Sequence, residues 1–315
     1  MADGRFAPSP TATLHLGNLR TALVAWLAAR SSGSRFLFRS EDMDRIACRS
    51  EHEVSALRDL HALGLDHDGE VVRQSERAEL YRDAIDRLIA NDLTYPCYCT
   101  RREVLAEASE SIAAPHGVRP TGSYAGTCRT LDRAGRQERE TSGRAPSLRL
   151  RSQGSVVSFT DRLAGDFEGE IDDFVIRRVD GTPAYNLAVV IDDAEQGIGE
   201  VVRGDDLLET TPRQIHLARL LGVPEPTYLH VPLVFGPDGE RLAKRHGAVT
   251  LEDQRSMGRT PEEVVAVFAN SLGLAEAGEQ PTLDELIQRF DAAKLPRTVW
   301  VLPQELAGSI GLRRS

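Results

Sequence analysis

The N-terminal segment carries the hydrophobic spacing of a strand, a helix and a second strand. Residues 4–7, Gly-Arg-Phe-Ala, predict a short buried strand, which Pro8 and Pro10 end. One face of a helix follows at positions i, i+3, i+4, i+7 and i+8, namely Leu19, Ala22, Leu23, Trp26 and Leu27. Residues 36–38 predict the next strand. This β–α–β order predicts an α/β fold, in which ligands bind at the carboxyl ends of the strands.

The pattern changes twice further along the chain. Helical spacing continues over residues 50–63 and 76–91. Residues 96–146 then lack apolar periodicity and hold three of the four cysteines, which predicts a surface insertion. Strand patterns return from Val156, and we expect them to continue the main sheet. The later ones lie at residues 173–176, 187–192 and 230–235.

The C-terminal part has the pattern of capped helices. Two capping boxes, Thr260 with Glu263 and Thr282 with Glu285, each precede an apolar run. We therefore divide the chain into four parts. They are the first half of an α/β domain (1–95), an insertion (96–155), the second half of that domain (156–250) and a helical C-terminal region (251–315).

Composition narrows the class of protein. The 38 Lys and Arg residues against 48 Asp and Glu give a net charge of −10, so nucleic acid would have to bind at a local basic face. The chain contains no run of about 18 apolar residues, which argues against a membrane span. Because the N-terminus lacks a signal-peptide pattern, we expect a cytoplasmic protein whose cysteines are thiols or metal ligands.

A histidine lies where the first helix begins. The segment His15-Leu16-Gly17-Asn18 follows the first strand and places an imidazole beside free backbone N–H groups, an arrangement that suits phosphate. By itself this motif is more often a turn than a site. The chain, however, resembles class I glutamyl- and glutaminyl-type aminoacyl-tRNA synthetases in five ordered segments. They are RFAPSPTATLHLGNLRTAL, FRSEDMD, DFVIRRVDGTPAYNLAVVIDDA, VVRGDDLLETTPRQIHL and RLAKRHGA.

This resemblance implies a Rossmann-like catalytic domain that activates an amino acid with ATP and Mg²⁺. It implies that the ATP-binding and catalytic residues are His15, Gly17, Asn18 and Lys244. It implies that the residues contacting L-glutamate are Arg5, Ala7, Ser9, Glu41, Tyr185 and Arg203. Two arginines match the two carboxylates of glutamate. Taken alone, Arg203 would more often pair with Asp205 or Asp206, and Glu41 would more often cap a surface helix.

The motif around Lys244 departs from the family pattern. Lys244 and Lys294 are the two lysines of a chain in which arginine otherwise supplies the basic residues, and Lys244 stands at the second lysine of the motif. Arg241 replaces the first motif lysine, Ala243 replaces a serine, and Ala12 replaces a glycine in the N-terminal segment. We expect these changes to affect loop conformation rather than to abolish contact with phosphate.

The insertion carries a candidate metal site. Cys97 and Cys99, followed by Tyr124 and Cys128, resemble the C-x-C … Y-x₃-C zinc site of the short glutamyl-Q tRNA(Asp) synthetases. The resemblance implies one structural Zn²⁺ with four protein ligands. His116 is the alternative fourth ligand. Cys48 lies far away in the sequence and is predicted to be a buried thiol without a metal.

Chain length bears on the RNA substrate. Only 315 − 244 = 71 residues follow Lys244, fewer than the anticodon-binding domain of full-length glutamyl-tRNA synthetases needs. The short family it resembles implies transfer of glutamate to queuosine in the anticodon loop of tRNA(Asp), by an enzyme that we expect to be a monomer. Two alternatives stay open: a truncated synthetase charging a tRNA 3′ end, and an inactive RNA-binding or regulatory protein. Arginines within 129–151 and the pair Arg313-Arg314 are candidate phosphate contacts or solvated surface charges.

Overall fold

The structure, a computed structural model, describes residues 3–111, 123–242, 246 and 249–307. Its strands are β1 (Asp3–Phe6), β2 (Phe36–Ser40), β3 (Val72–Arg73), β4 (Thr94–Cys97), β5 (Ser147–Leu150), β6 (Val156–Asp161), β7 (Gly165–Glu170), β8 (Val175–Arg177), β9 (Ile198–Gly204), β10 (Thr227–Val231), β11 (Val234–Phe235) and β12 (Trp300–Val301). Its helices are α1 (Leu16–Ser31), α2 (Ser50–Ala62), α3 (Ala78–Ala90), α4 (Arg101–Ser111), α5 (Arg133–Thr141), α6 (Tyr185–Glu195), α7 (Thr211–Leu221), α8 (Leu251–Ser256), α9 (Pro261–Ser271), α10 (Leu283–Arg289) and α11 (Gln304–Ala307).

A seven-stranded sheet forms the centre of the molecule, in the order β3-β2-β1-β9-β10-β6-β7. All of its neighbours pair in parallel except β6 and β7, which are antiparallel. The chain runs outward from β1 to β2 in one direction and from β9 to β10 in the other. The predicted α/β fold is therefore confirmed, and the order reverses between β1 and β9. In open α/β sheets such a reversal leaves a crevice at the carboxyl ends of the two strands.

The two faces of this sheet have separate apolar cores. Phe36 and Phe38 of β2 pack with α1 and with the C-terminal helices on one face. Leu37, between them, packs with α3, α6 and α7 on the other face. This alternation follows from the two-residue period of a strand. Strand β2 is therefore covered on both sides, as parallel strands usually are.

Residues 187–192, predicted as a strand, lie in helix α6. The prediction was wrong because residues 187–193 are all buried, so that the helix shows no polar face from which a helical period could be recognised. A continuous apolar run of this length fits either a buried strand or a buried helix. Helix α6 packs against α3, α7 and β9.

The strand predicted at residues 173–176 also has a different place. It is observed as β8, which pairs with β5 and not with the main sheet. Strands β4, β5 and β8 form a separate antiparallel sheet that supports the cysteine-rich segment. Strands β6 and β7 form a hairpin at the edge of the main sheet, as expected for a sheet that continues from Val156. The four-part division of the chain stays a prediction.

The C-terminal region contains both predicted capping boxes. The Thr260 hydroxyl accepts the N–H of Glu263 at the start of α9, and the Thr282 hydroxyl accepts the N–H of Glu285 at the start of α10. Across the part of the chain that the structure describes, no helix is long and apolar enough to cross a bilayer.

Candidate active site

One cavity of about 680 Å³ lies in the crevice where β1, β2 and β9 end. It is lined by nine of the ten residues that the sequence predicts for glutamate and ATP, which are Arg5, Ala7, Ser9, His15, Gly17, Asn18, Glu41, Tyr185 and Arg203. The tenth, Lys244, lies outside the described residues. Segments far apart in the sequence thus meet in one place, and the individual roles of these residues stay predictions.

The turn at the start of α1 determines which nitrogen of the His15 ring carries the proton. The backbone N–H of Asn18 donates to His15 Nδ1 over 3.2 Å, and the Asn18 side chain accepts the N–H of His15 over 3.2 Å. Burial lowers the pKa of His15, so the ring is neutral at pH 7. Since Nδ1 accepts a hydrogen bond, the ring proton is assigned to Nε2, which is then a donor suited to phosphate.

Glycine is required at position 17 by the His15 ring. A Cβ atom built on Gly17 would lie 3.0 Å from two atoms of that ring and 3.2 Å from Val234 Cβ. Such distances are shorter than ordinary van der Waals contact, so any larger residue would displace the imidazole. Because Leu16 donates its N–H to a backbone carbonyl and Asn18 donates its N–H to His15, the N–H of Gly17 is the one of these three described residues that remains for a phosphate beside the histidine.

The described residues on both sides of the segment that carries Lys244 are hydrogen-bonded beside the cavity. On one side, Leu242 donates its N–H to the carbonyl of Val234 over 3.1 Å. On the other side, Leu16 in the turn donates its N–H to the carbonyl of Val249 over 2.7 Å. Arg241, which replaces the first motif lysine, lines the cavity and lies 3.3 Å from Asp206.

Glu41 lies at the end of β2 and does not cap a surface helix. Its side chain is only 8% exposed, and the buried Arg39 contacts it over 3.3 Å. Burial raises the pKa of Glu41, and the positive charges of Arg39 and Arg5 oppose this effect. A buried carboxylate with one long contact to a cation can gain from a further cation such as a substrate ammonium.

Arg39 and Asp193 are functional candidates that the sequence analysis missed. Arg39 donates to Asp193 over 2.7 Å, and Arg5 donates to the same carboxylate oxygen over 3.2 Å. Asp193 thus holds Arg5, while Arg39 contacts both Asp193 and Glu41. An arginine directly after three apolar residues of a buried strand was the available signal, because a buried charge needs a partner.

Arg203 does not form the ion pair with Asp205 or Asp206 that its sequence context allowed. Its Nε donates to His230 Nε2 over 3.1 Å, its Nη1 to Gln214 over 2.8 Å and its Nη2 to the Thr211 hydroxyl over 2.8 Å. A guanidinium has five N–H donors. Among the described residues these three are its acceptors, which leaves two N–H groups for a ligand.

The three cysteines and Tyr124 form a compact cluster in the insertion. The thiol sulfurs of Cys97, Cys99 and Cys128 all lie within 4.8 Å of one another. Tyr124 Oη is 3.4 Å from Cys97 Sγ and 3.6 Å from Cys99 Sγ, and the sulfurs of Cys99 and Cys128 are 3.6 Å apart. A tetrahedral zinc with bonds of about 2.3 Å to sulfur and about 2.0 Å to oxygen requires S···S distances of about 3.8 Å and S···O distances of about 3.5 Å. The four side chains therefore fit the metal.

The surroundings of Tyr124 suit a negatively charged ligand oxygen. Its Oη accepts the N–H of Cys128 over 2.7 Å, and the guanidinium of Arg149 lies 3.7 Å from the centre of its ring. Its backbone N–H donates to Asp172, whose other oxygen binds Arg213 of α7. The alternative ligand His116 lies outside the described residues.

The structure also bears on Cys48 and on the arginines predicted to contact RNA. Cys48 is half-buried rather than buried, and it lies apart from the three-cysteine group. Arg129 pairs with Asp173 and Arg144 pairs with Glu103, so these two candidate RNA contacts already have protein partners. Arg313 and Arg314 lie outside the described residues.

The fold and the cavity are those of a class I aminoacyl-tRNA synthetase. Residues 2–305 match the model of the family "tRNA synthetases class I (E and Q), catalytic domain", and the chain belongs to this family. It is 55% identical to the glutamyl-Q tRNA(Asp) synthetase of Nocardia farcinica, over 95% of this chain and 92% of that protein. It is 49% identical to the protein of the same name from Symbiobacterium thermophilum, over 98% of each chain.

A solved structure agrees with this assignment. The glutamate tRNA ligase from Elizabethkingia meningosepticum, in complex with its amino acid, superposes with a TM-score of 0.80 at 26% identity. The match covers 97% of this chain and 68% of the ligase. The predicted enzyme class is thus confirmed: the chain is a ligase of the aminoacyl-tRNA synthetase family.

Proposed function

We propose that the chain activates L-glutamate with ATP and transfers the glutamyl group to the queuosine base in the anticodon loop of tRNA(Asp), acting as a monomer. The observation that carries this proposal is the single cavity in which nine predicted substrate-binding residues meet. The named relatives support the RNA substrate, because the chain is 55% and 49% identical to two glutamyl-Q tRNA(Asp) synthetases.

The first step needs positioning and charge stabilisation rather than a general base. The α-carboxylate of glutamate is already an anion, and one of its oxygens attacks the α-phosphorus of ATP. A P–O bond forms to give glutamyl-adenylate, and the bond to pyrophosphate breaks, so the electron pair leaves with pyrophosphate. We assign the stabilisation of the phosphate charge to the Nε2–H of His15, the N–H of Gly17 and Lys244, with the Mg²⁺ that accompanies ATP.

Charge complementarity accounts for the choice of glutamate. We assign the substrate ammonium to Glu41 and the two carboxylates to Arg5 and Arg203, all three of which line the cavity. Both arginines are buried and held by protein acceptors, so their positions are set before substrate binds. Glutamine lacks one of the two carboxylates and would leave a buried guanidinium without its counter-ion.

The second step transfers the glutamyl group to RNA. A hydroxyl of the queuosine cyclopentenediol attacks the carbonyl carbon of the adenylate and an ester bond forms. The bond to AMP breaks, AMP leaves with the electron pair, and the hydroxyl proton passes to a phosphate oxygen of the departing AMP. Vicinal hydroxyls resemble those of a terminal ribose, so a cleft built for a tRNA end can also hold this base.

Pyrophosphate exchange and RNA labelling test the two steps separately. RNA-free enzyme should support exchange with glutamate and not with glutamine or aspartate; absence of exchange would favour the inactive, RNA-binding alternative. Labelled glutamate should then appear on tRNA(Asp) that contains queuosine, should resist removal of the 3′-terminal adenosine, and should be absent when guanine replaces queuosine. Label on the 3′ end of a glutamate tRNA would instead identify a truncated synthetase.

We also assign one structural Zn²⁺ to Cys97, Cys99, Tyr124 and Cys128. Four protein ligands leave no coordination position for substrate, so the metal would hold the insertion together. Elemental analysis should find one zinc per chain in the wild type and in Cys48→Ser, and much less in Cys99→Ser. A zinc-free wild type, or an experimental structure with His116 as the fourth ligand, would contradict this assignment.

A further inference from the structure

Three buried side chains on neighbouring strands form a continuous hydrogen-bonded chain that ends at the cavity. Asp161 of β6 lies 2.7 Å from Nδ1 of His230 on β10, and Nε2 of His230 lies 3.1 Å from Nε of Arg203 on β9. The side chains of Asp161 and His230 are both 0% exposed. Of the three, Arg203 lines the cavity.

The donors and acceptors of this chain allow one proton arrangement. The Nε–H of Arg203 can only donate, so Nε2 of His230 must accept and the ring proton must lie on Nδ1. Asp161 can accept a hydrogen bond from this Nδ1–H, because an ionised carboxylate acts only as an acceptor. Its oxygens also accept backbone N–H groups from Leu163, Ala164 and His230. Asp161 therefore selects the tautomer of His230 that Arg203 requires.

We propose that His230 is a positioning residue, held in one tautomer by Asp161, that orients Arg203 for a carboxylate of the substrate. This inference rests on the proposed function, in which Arg203 binds glutamate. His230 accepts the Nε–H of the Arg203 guanidinium. Gln214 accepts one N–H of Nη1, and Thr211 accepts one N–H of Nη2. The remaining N–H groups are held toward the cavity without contact between His230 and the substrate.

Two substitutions separate hydrogen bonding from packing. His230→Leu removes the acceptor, whereas His230→Gln retains an oxygen that can accept the Nε–H of Arg203. We expect the KM for glutamate in pyrophosphate exchange to rise about tenfold to hundredfold in His230→Leu, the usual effect of losing a hydrogen bond to a charged group. The KM for ATP and kcat should change by less than about threefold, and His230→Gln should recover most of the affinity for glutamate.

His216→Leu is the matched control, because His216 is a half-buried histidine of α7 and is not among the described residues that line the cavity. It should leave the KM for glutamate within about twofold of the wild type. An unchanged KM for glutamate in His230→Leu, an equal rise in the KM for ATP, or a failure of His230→Gln to improve on His230→Leu would each overturn the inference. A wild type without glutamate-dependent exchange would instead overturn the proposed function itself.

Discussion

At the scale of single residues, one lysine in the segment between Leu242 and Val249 is expected to carry much of the rate. Replacing Lys244 with Ala should lower kcat for adenylate formation by about 10² to 10³, the typical effect of losing one charge-stabilising group. Single-turnover measurement of adenylate formation tests this, with Lys294→Ala as the control because Lys294 is exposed and pairs with Asp291. A loss of less than about threefold in Lys244→Ala would contradict its assigned role.

A second prediction concerns the contact between Gly17 and His15. In Gly17→Ala the added methyl group would lie 3.0 Å from the imidazole, which must then move away from the phosphate position. We expect kcat for exchange to fall by about tenfold to hundredfold, because small misplacements of a catalytic group have large effects. The thermal midpoint should change little in comparison. Normal exchange in this variant would mean that the position of the His15 ring does not matter.

The pH dependence of glutamate binding provides a third prediction. Burial lowers the pKa of His230; Arg203 and Arg5 act in the same direction, whereas Asp161 opposes them. The remaining titratable group that faces the ring is Tyr228, which stacks on it. His230 is thus neutral at pH 7, and protonation below its lowered pKa would turn the Nε2 acceptor into a donor aimed at Arg203.

The KM for glutamate should therefore be flat above about pH 6.5, the ordinary histidine pKa, and should rise as the pH falls further. His230→Gln has no titrating group at this position and should show a weaker rise over the same range. Because His15 also titrates in both proteins, the difference between the two profiles is the informative quantity. Identical profiles would contradict the expected contribution of His230.

The nine cavity residues could be predicted because they lie in contiguous motifs, but their supporting partners could not. Asp161 and His230 are ionisable residues in segments of ordinary composition, whereas Asp193 lies in one of the motifs but received no role there. Nothing in the sequence tells which strands become neighbours. Their role depends on the strand order β9-β10-β6, which brings residues 161, 203 and 230 together.

At the scale of elements, the predicted caps can be tested through stability. Thr260→Ala should lower the free energy of unfolding by about 1 kcal/mol, since α9 loses a side-chain acceptor for one of its first N–H groups. Thr260→Ser keeps the hydroxyl and should cost much less. Denaturant titration of the three proteins measures this, and equal stability of the wild type and Thr260→Ala would contradict the effect of the cap.

The sequence predicted elements well where one face of the element is polar. Helices α1, α2 and α3 begin and end within a few residues of the predicted ranges, and the capping boxes locate the starts of α9 and α10. Helix α6 was missed because the fold buries it on almost every side, which removes the periodic signal. The pairing of β8 with β5 was missed because strand partners depend on contacts across the whole chain.

At the scale of the whole molecule, zinc removal should affect the two reaction steps differently. The cysteine cluster lies in the insertion, whereas eight of the residues assigned to substrate binding and adenylate formation, together with Ala7, line the cavity at the ends of β1, β2 and β9. We expect Cys99→Ser to lose more of its transfer to tRNA than of its pyrophosphate exchange. An equal loss in both assays would mean that the insertion supports the catalytic sheet itself.

The two strands that border the main sheet also affect how copies of the chain meet one another. Strand β3 contains only two residues, and β7 presents Asp166, Glu168 and Glu170 at alternate positions. A short border offers few hydrogen bonds to an incoming strand, and a row of carboxylates would meet an identical row on a second copy and repel it. Growth of the sheet by edge-to-edge aggregation is therefore disfavoured on both sides, as the proposed monomer requires.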